Sequence, residues 1–213
     1  MKSPTGLSAC AVLLVAAGLS RRFGAADKLM APWQGRPLLV RTAQRLAAAA
    51  PGVKVAVVGP DDAAREALLV EAGFRCVTNP DPAAGMGTSI ACGATFLRDT
   101  LSADAQGIFL CLADMPLVSS ALLGHLHTAL VADPEPRVVV PVFRGQRGHP
   151  VLFSRECLPE LTLLVGDAGA RAVVQAAGTR VREVPWTDES VLIDFDTPAD
   201  FARDEHSSLR VDS

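Results

Sequence analysis

The sequence predicts an α/β protein whose largely parallel sheet is covered by helices on both faces. Apolar, β-rich runs recur at 9–15, 53–58, 74–78, 107–112 and 138–143, and helix-like segments at 37–50, 61–72, 88–101 and 119–132 fall between them. That alternation marks βαβ units. The run Val53-Lys54-Val55-Ala56-Val57-Val58 is apolar nearly throughout instead of alternating, as a strand buried on two sides must be. With 213 residues, 49% of them hydrophobic and 20% charged, the chain has material for one well-cored domain. We expect that domain over 1–205 and a frayed tail over 206–213.

The first run, 9–15, leads into Ala16-Ala17-Gly18-Leu19-Ser20-Arg21-Arg22-Phe23-Gly24, with Lys28 just beyond. Small residues let backbone amides approach an anion, and neighbouring cations reinforce such a concavity. No Gly-Lys-Ser/Thr follows, so the segment is not a Walker A loop. Ser20 occupies the place of the second glycine in a dinucleotide fingerprint, so it is not that either. The competing reading is a strand-to-helix turn with surface arginines. Among 20 basic residues only Lys2, Lys28 and Lys54 are lysine, so Lys28 interrupts a strong arginine habit. A compact ammonium suits a point contact to phosphate. Arg21, Arg22, Lys28 and Arg36 together read as a site for a small anion.

Further along, Asn79-Pro80 and Gly85-Met86-Gly87-Thr88-Ser89 form a loop ending in a helix N-terminus, a second place for amides to meet an anion or a nucleobase. The run 107–112 delivers Asp114 to the exit of a buried strand, where open α/β sheets bind ligands. Asp114 is either a metal ligand or a turn and cap residue before Pro116. Past 143 the rhythm changes. A glycine-rich turn at 145–148 precedes His149, a substrate contact or a structural histidine. A strand at 150–153, short helices at 155–164 and 168–177, and strands at 181–185 and 191–193 then follow as a mixed-sheet edge. On the last strand, alternation sends Asp194 and Asp196 to one side and Phe195 to the other. Thr197 and Pro198 open a helix as N-cap and first helical residue.

Composition excludes several functions. A net charge of -3 argues against a nucleic-acid binder, and aromatic residues at 5% with no tyrosine offer no stacking platform. Cys10, Cys76, Cys92, Cys111 and Cys157 show neither zinc spacing nor a disulfide framework, and most read as buried apolar fillers. His125 and His127 lie two apart on a helix, facing different ways, and are no metal pair. The run 7–17 after Lys2 imitates a signal peptide, but it is short, carries Ser8 and Cys10 and ends in the small-residue loop, and no other run approaches a membrane span, so we expect a cytoplasmic protein.

Taken in order, Ala16-Ala17-Gly18-x-Ser20-x-Arg22-x-Gly24 with Lys28, Gly85-Met86-Gly87-Thr88-Ser89, Ala113-Asp114-Met115-Pro116, Gly148-His149-Pro150, Gly166-Asp167-x-Gly169-Ala170 and Asp194-x-Asp196-Thr197-Pro198 resemble the molybdenum cofactor cytidylyltransferase family. The similarity runs from about residue 9 to 201. Leu19 and Phe23 depart from it, standing where a polar or basic residue and methionine are usual. The resemblance implies a three-layer Rossmann-like nucleotidyltransferase fold and transfer of CMP from CTP to molybdopterin with Mg²⁺. It implies Lys28, Arg22 and Asp114 as catalytic residues and Asp114 and Asp196 as metal ligands, with Asp194 the lesser partner. Ala16, Ala17, Gly18, Asn79, Gly87 and Ser89 would bind nucleotide, and His149 and Asp167 the acceptor. A recipient molybdoenzyme or its chaperone would take the product. A guanylyltransferase, a sugar- or alcohol-phosphate nucleotidyltransferase and a non-catalytic molybdopterin carrier are the alternatives. Because the related guanylyltransferases carry Ala-Gly-Gly in the first loop, the methyl of Ala17 is expected to narrow the space beside the base and favour cytosine.

Overall fold

The computed structural model describes residues 6–18, 27–50, 52–197 and 199–202. Strand β1 (Cys10–Val15) runs through the middle of the sheet. A small hairpin, β2 (Pro32–Trp33) and β3 (Arg36–Pro37), turns through Gln34 and Gly35, both at positive φ as two-residue hairpin turns require. Helix α1 (Leu38–Ala49), β4 (Lys54–Val58), α2 (Ala63–Glu71), β5 (Arg75–Thr78), α3 (Met86–Thr100), β6 (Gly107–Leu112) and α4 (Ser120–Val131) complete the expected alternation. They are followed by β7 (Val138–Phe143), β8 (Gln146–Arg147), β9 (Val151–Ser154), α5 (Leu158–Leu161), α6 (Arg171–Ala177) and β10 (Val181–Pro185).

The main sheet is ordered β10-β7-β9-β6-β1-β4-β5, with β8 paired to β7. β1 pairs in parallel with both β4 and β6, and β9 inserts antiparallel between β6 and β7. Alternate residues of β1 feed opposite faces. Val12 and Leu14 join a core with Leu39 and Leu46 of α1 and Leu122 of α4, whereas Ala11 and Leu13 join Ile90 and Leu97 of α3. Helix α1 buries Leu38, Leu39, Thr42, Ala43 and Leu46, a stripe on one side of the helix.

Two expectations need correction near the end of the chain. Residues 191–193 are not a strand: Glu189–Val191 is a 3₁₀ turn, because the Asp188 carboxylate accepts the Ser190 N–H and bends the chain. Val191 is instead fully buried. The segment expected as a helix over 155–164 is a 3₁₀ turn (Arg155–Cys157) followed by the single turn of α5. Residues 199–202 are helical, and the Asp200 carboxylate accepts the Thr197 N–H at 2.7 Å, one half of a capping box; Pro198 and the expected tail over 206–213 lie outside the described residues. Among the described residues, no helix is long and apolar enough to cross a membrane.

Candidate active site

After β1 the chain turns to one side to build β4 and β5, then returns to the other side for β6. The carboxyl ends of β1 and β6 are therefore a topological switch point, where open sheets form a ligand crevice. Ala16–Gly18 leave the first strand there and Asp114 the second. A cleft lined by Gly18, Lys28, Met86, Ala113 and Asp114 lies between them. Thr42 of α1 braces its floor, donating from Oγ1 to the Ala113 carbonyl at 2.9 Å.

The carboxylates are brought together by Phe195. Its N–H donates to the Asp114 carbonyl at 3.0 Å. Its ring is fully buried, edge-on to Trp33 and Phe201 with centroids 5.3 and 5.4 Å away. With Phe195 turned inward, its neighbours turn toward Asp114, and the ligand oxygens of Asp114, Asp194 and Asp196 lie within 4.8 Å of one another. The expected juxtaposition therefore arises in irregular chain, without the strand. Partial desolvation pushes the largely exposed Asp194 carboxyl above its ordinary pKa, and the charges of Asp196 and Asp114 push it further.

Lys28 is buried and bridges two of the three, with Nζ 2.7 Å from Asp114 Oδ2 and 2.6 Å from Asp196 Oδ1. Burial works against its charge, but the two carboxylates outweigh that and hold its pKa above the usual lysine value. Asp114 Oδ1 is buried and accepts no hydrogen bond. Three clustered carboxylates with an unsatisfied buried oxygen have the hard donor set that a divalent cation prefers. Lys28 sits in the 3₁₀ turn Lys28–Met30, capped by Asp27, whose Oδ1 accepts the Leu29 N–H.

Ala16 and Ala17 are both buried, on opposite faces of the sheet. The Ala17 methyl lies in the α3-side core. What this stretch offers the cleft is backbone. Arg22 lies outside the described residues, as do Leu19, Ser20, Arg21, Phe23 and Gly24. Arg36 sits on the hairpin and donates to Gln44 Oε1.

Asn79 is buried and spends its groups internally. Its Nδ2 donates to Thr88 Oγ1 and Ser89 Oγ, and its Oδ1 accepts the Asp81 N–H. It shapes the loop that ends in α3. That loop is pressed onto 165–167: the Gly87 N–H donates to the Gly166 carbonyl at 2.7 Å, and a Cβ at Gly85, where φ is 109°, would strike the same carbonyl. Glycine is required there on both counts. Asp167 is exposed on the facing segment. His149 donates its N–H to the Val191 carbonyl at 2.8 Å, and its buried Nδ1 has no partner. Burial lowers its pKa, only partly offset by the charge of Asp114 and a backbone hydrogen bond to Leu110.

Sequence reasoning missed Arg65, which is buried beneath the end of β1 and pairs with Asp27. An isolated arginine early in a helix carries no signal that it points inward. The cysteines are free; Cys10, Cys111 and Cys157 are buried as fillers are, Cys76 and Cys92 only in part, and burial raises the Cys10 thiol to about 12. His125 meets Trp186 edge-on and His127 Nε2 bonds to Gln106 Oε1.

Residues 12–182 match the MobA-like NTP transferase domain family. The chain is 29% identical over 201 residues to nicotine blue oxidoreductase of Paenarthrobacter nicotinovorans, covering 91% of this chain and 95% of that protein. It is 30% identical to the molybdenum cofactor guanylyltransferase of Rhodopseudomonas palustris, over 93% of each chain. It is 25% identical to the molybdenum cofactor cytidylyltransferase of Escherichia coli, over 92% of this chain and 95% of that one. The crystal structure of Rv0371c from Mycobacterium tuberculosis in complex with manganese superimposes with a TM-score of 0.71 at 27% identity, covering 91% of this chain and 96% of that one.

Proposed function

The chain belongs to the MobA-like NTP transferase domain family and is a nucleotidyltransferase, and from that premise we propose that it transfers CMP from CTP to molybdopterin with Mg²⁺, releasing pyrophosphate. The observation that carries this reading is the Lys28 ammonium held between Asp114 and Asp196 at the switch-point cleft, beside a carboxylate oxygen left unsatisfied.

In this reaction an oxygen of the acceptor phosphate bonds to the α-phosphorus of CTP. The bond from that phosphorus to the bridging oxygen breaks, and its electron pair leaves with pyrophosphate. The nucleophile is already anionic, so no residue need remove a proton; the demand is for positive charge and alignment. Amides of Ala16 to Gly18 seat the triphosphate, and Lys28 with Arg22 neutralises it. The loop from Asn79 through Gly87 to Ser89 holds the nucleoside, and His149 and Asp167 face the acceptor. Asp114 and Asp196 would hold Mg²⁺, with Asp194 beside them. When bound, Mg²⁺ supplies charge neutralisation for the phosphate oxygens and the departing pyrophosphate. The product passes to a recipient molybdoenzyme or its chaperone, in the cytoplasm.

Transfer of GMP is the second reading, favoured by the 30% identity to the Rhodopseudomonas palustris enzyme. Incubating the protein with molybdopterin, Mg²⁺ and each nucleoside triphosphate separately, with product mass and pyrophosphate as readouts, decides among the readings. A cytosine dinucleotide is expected from CTP. A guanine dinucleotide from GTP alone would move the assignment to the second reading, and molybdopterin retention without pyrophosphate would make the protein a carrier.

A further inference from the structure

We propose that Arg65 is a positioning residue that locks the backbone cradle at the end of β1 to the turn carrying Lys28; the proposal rests on the nucleotide-transfer reading above. From the start of α2 its guanidinium reaches two separate pieces of the site. On one side Nη1 donates to the carbonyls of Ala16 at 2.6 Å and Gly18 at 3.3 Å. On the other, Nη2 and Nε grip the Asp27 carboxylate at 2.7 and 3.0 Å. Asp62 adds a third carboxylate contact, 3.2 Å from Nε.

Each bond has a consequence within the site. In a trans peptide the C=O and the following N–H point in opposite directions, so holding the Ala16 carbonyl aims the Ala17 N–H away from the guanidinium. The Asp27 Oδ1 that accepts from Arg65 also accepts the Leu29 N–H, so the same grip fixes the turn from which Lys28 reaches Asp114 and Asp196. Arg65 is buried and its donors are directed at the protein, so its part is alignment and not contact with phosphate. A planar fork spanning carbonyls on one edge and a carboxylate on the other cannot be replaced by a single ammonium.

Arg182 provides a matched comparison. It also joins a backbone carbonyl, that of Ala129, to a carboxylate, that of Asp133, but on β10 at the far edge of the sheet. Binding of CTP and of GTP with Mg²⁺ is measured by titration calorimetry, and thermal unfolding in parallel, for the wild type, Arg65→Lys, Asp27→Asn and Arg182→Gln. Arg65→Lys and Asp27→Asn are expected to weaken binding of the preferred nucleotide by about tenfold or more. Arg182→Gln is expected to lower Tm with wild-type affinity. If Arg65→Lys does not fold, Asp27→Asn decides alone. Wild-type affinity in a folded Arg65→Lys or Asp27→Asn protein overturns the proposal and leaves the grip merely stabilising. A wild type that binds neither nucleotide overturns the nucleotide-transfer reading itself, and the positioning role falls with it.

Discussion

The Phe195 N–H donates to the Asp114 carbonyl at 3.0 Å, and this bond joins the two chain segments that supply the carboxylate cluster. The ring beneath it is fully buried against Trp33 and Phe201, so apolar packing sets where Asp194 and Asp196 stand. Phe195→Leu keeps the site apolar but removes the ring contacts. A loss of about 1–3 kcal/mol in stability is expected, with weakened Mn²⁺ binding in the folded variant. Denaturant unfolding and calorimetric Mn²⁺ titration check this; unchanged metal affinity would separate the cluster from the core beneath it.

Lys28 occupies with its own charge two of the carboxylates proposed to hold a metal. On the proposed reading, replacing it by methionine removes both a phosphate-neutralising cation and the competitor for Asp114 and Asp196. Turnover should fall about 10²-fold, the scale of losing one preorganised charge in a phosphoryl-transfer site. Mg²⁺ should at the same time raise the Tm of Lys28→Met by more than that of the wild type, since binding no longer displaces an ammonium. Equal shifts in the two proteins would place the ion elsewhere.

The raised Asp194 pKa gives the metal-free protein a defined pH response. Relative to its ordinary value of 3.8, the folded state holds this proton more tightly than the unfolded chain. The associated stability is present below 3.8 and is lost as pH rises through the folded-state pKa. Asp194→Asn is therefore expected to stabilise the metal-free protein at neutral pH, by no more than about 0.5 kcal/mol because the group is exposed. The stabilisation given by Mg²⁺ should grow across the same pH range in the wild type and less so in the variant. Thermal unfolding at stepped pH, with and without Mg²⁺, tests this, and a wild-type metal effect that is flat with pH would exclude Asp194 from the site.

What the sequence made legible was whatever depends on local pattern. Val53 to Val58 announced a buried strand by being apolar throughout, and Asp114 announced itself by following such a strand. The alternation of Asp194, Phe195 and Asp196 correctly separated two outward acids from an inward ring, although the chain there is irregular and the 3₁₀ turn capped by Asp188 replaces the expected strand. Contacts across the fold left no such trace. Nothing near Lys28 in the chain indicates that it pairs with residues 86 and 168 positions away. Arg65 looks like any solvated helix arginine until tertiary packing places the end of β1 above it. Asn79 was legible as a loop residue, but its full set of internal bonds was not.

Nucleotide choice provides the last test, because the Ala17 methyl is buried in the α3-side core. If the Ala17 methyl bordered the base, deleting it would be worth about 1–3 kcal/mol of discrimination, a change of tenfold or more between CTP and GTP. The methyl instead packs in the α3-side core with Leu13, Val55 and Ile90, essentially hidden from the cleft. Ala17→Gly should then cost about 0.5–1 kcal/mol of stability through lost packing and added chain freedom. The ratio of kcat/KM for CTP over GTP should change by less than about threefold, which corresponds to under about 0.7 kcal/mol. Steady-state kinetics with both nucleotides, beside thermal unfolding, measures the two effects separately. A tenfold gain in relative GTP use would return the methyl to the base pocket and require the end of β1 to rearrange when nucleotide binds.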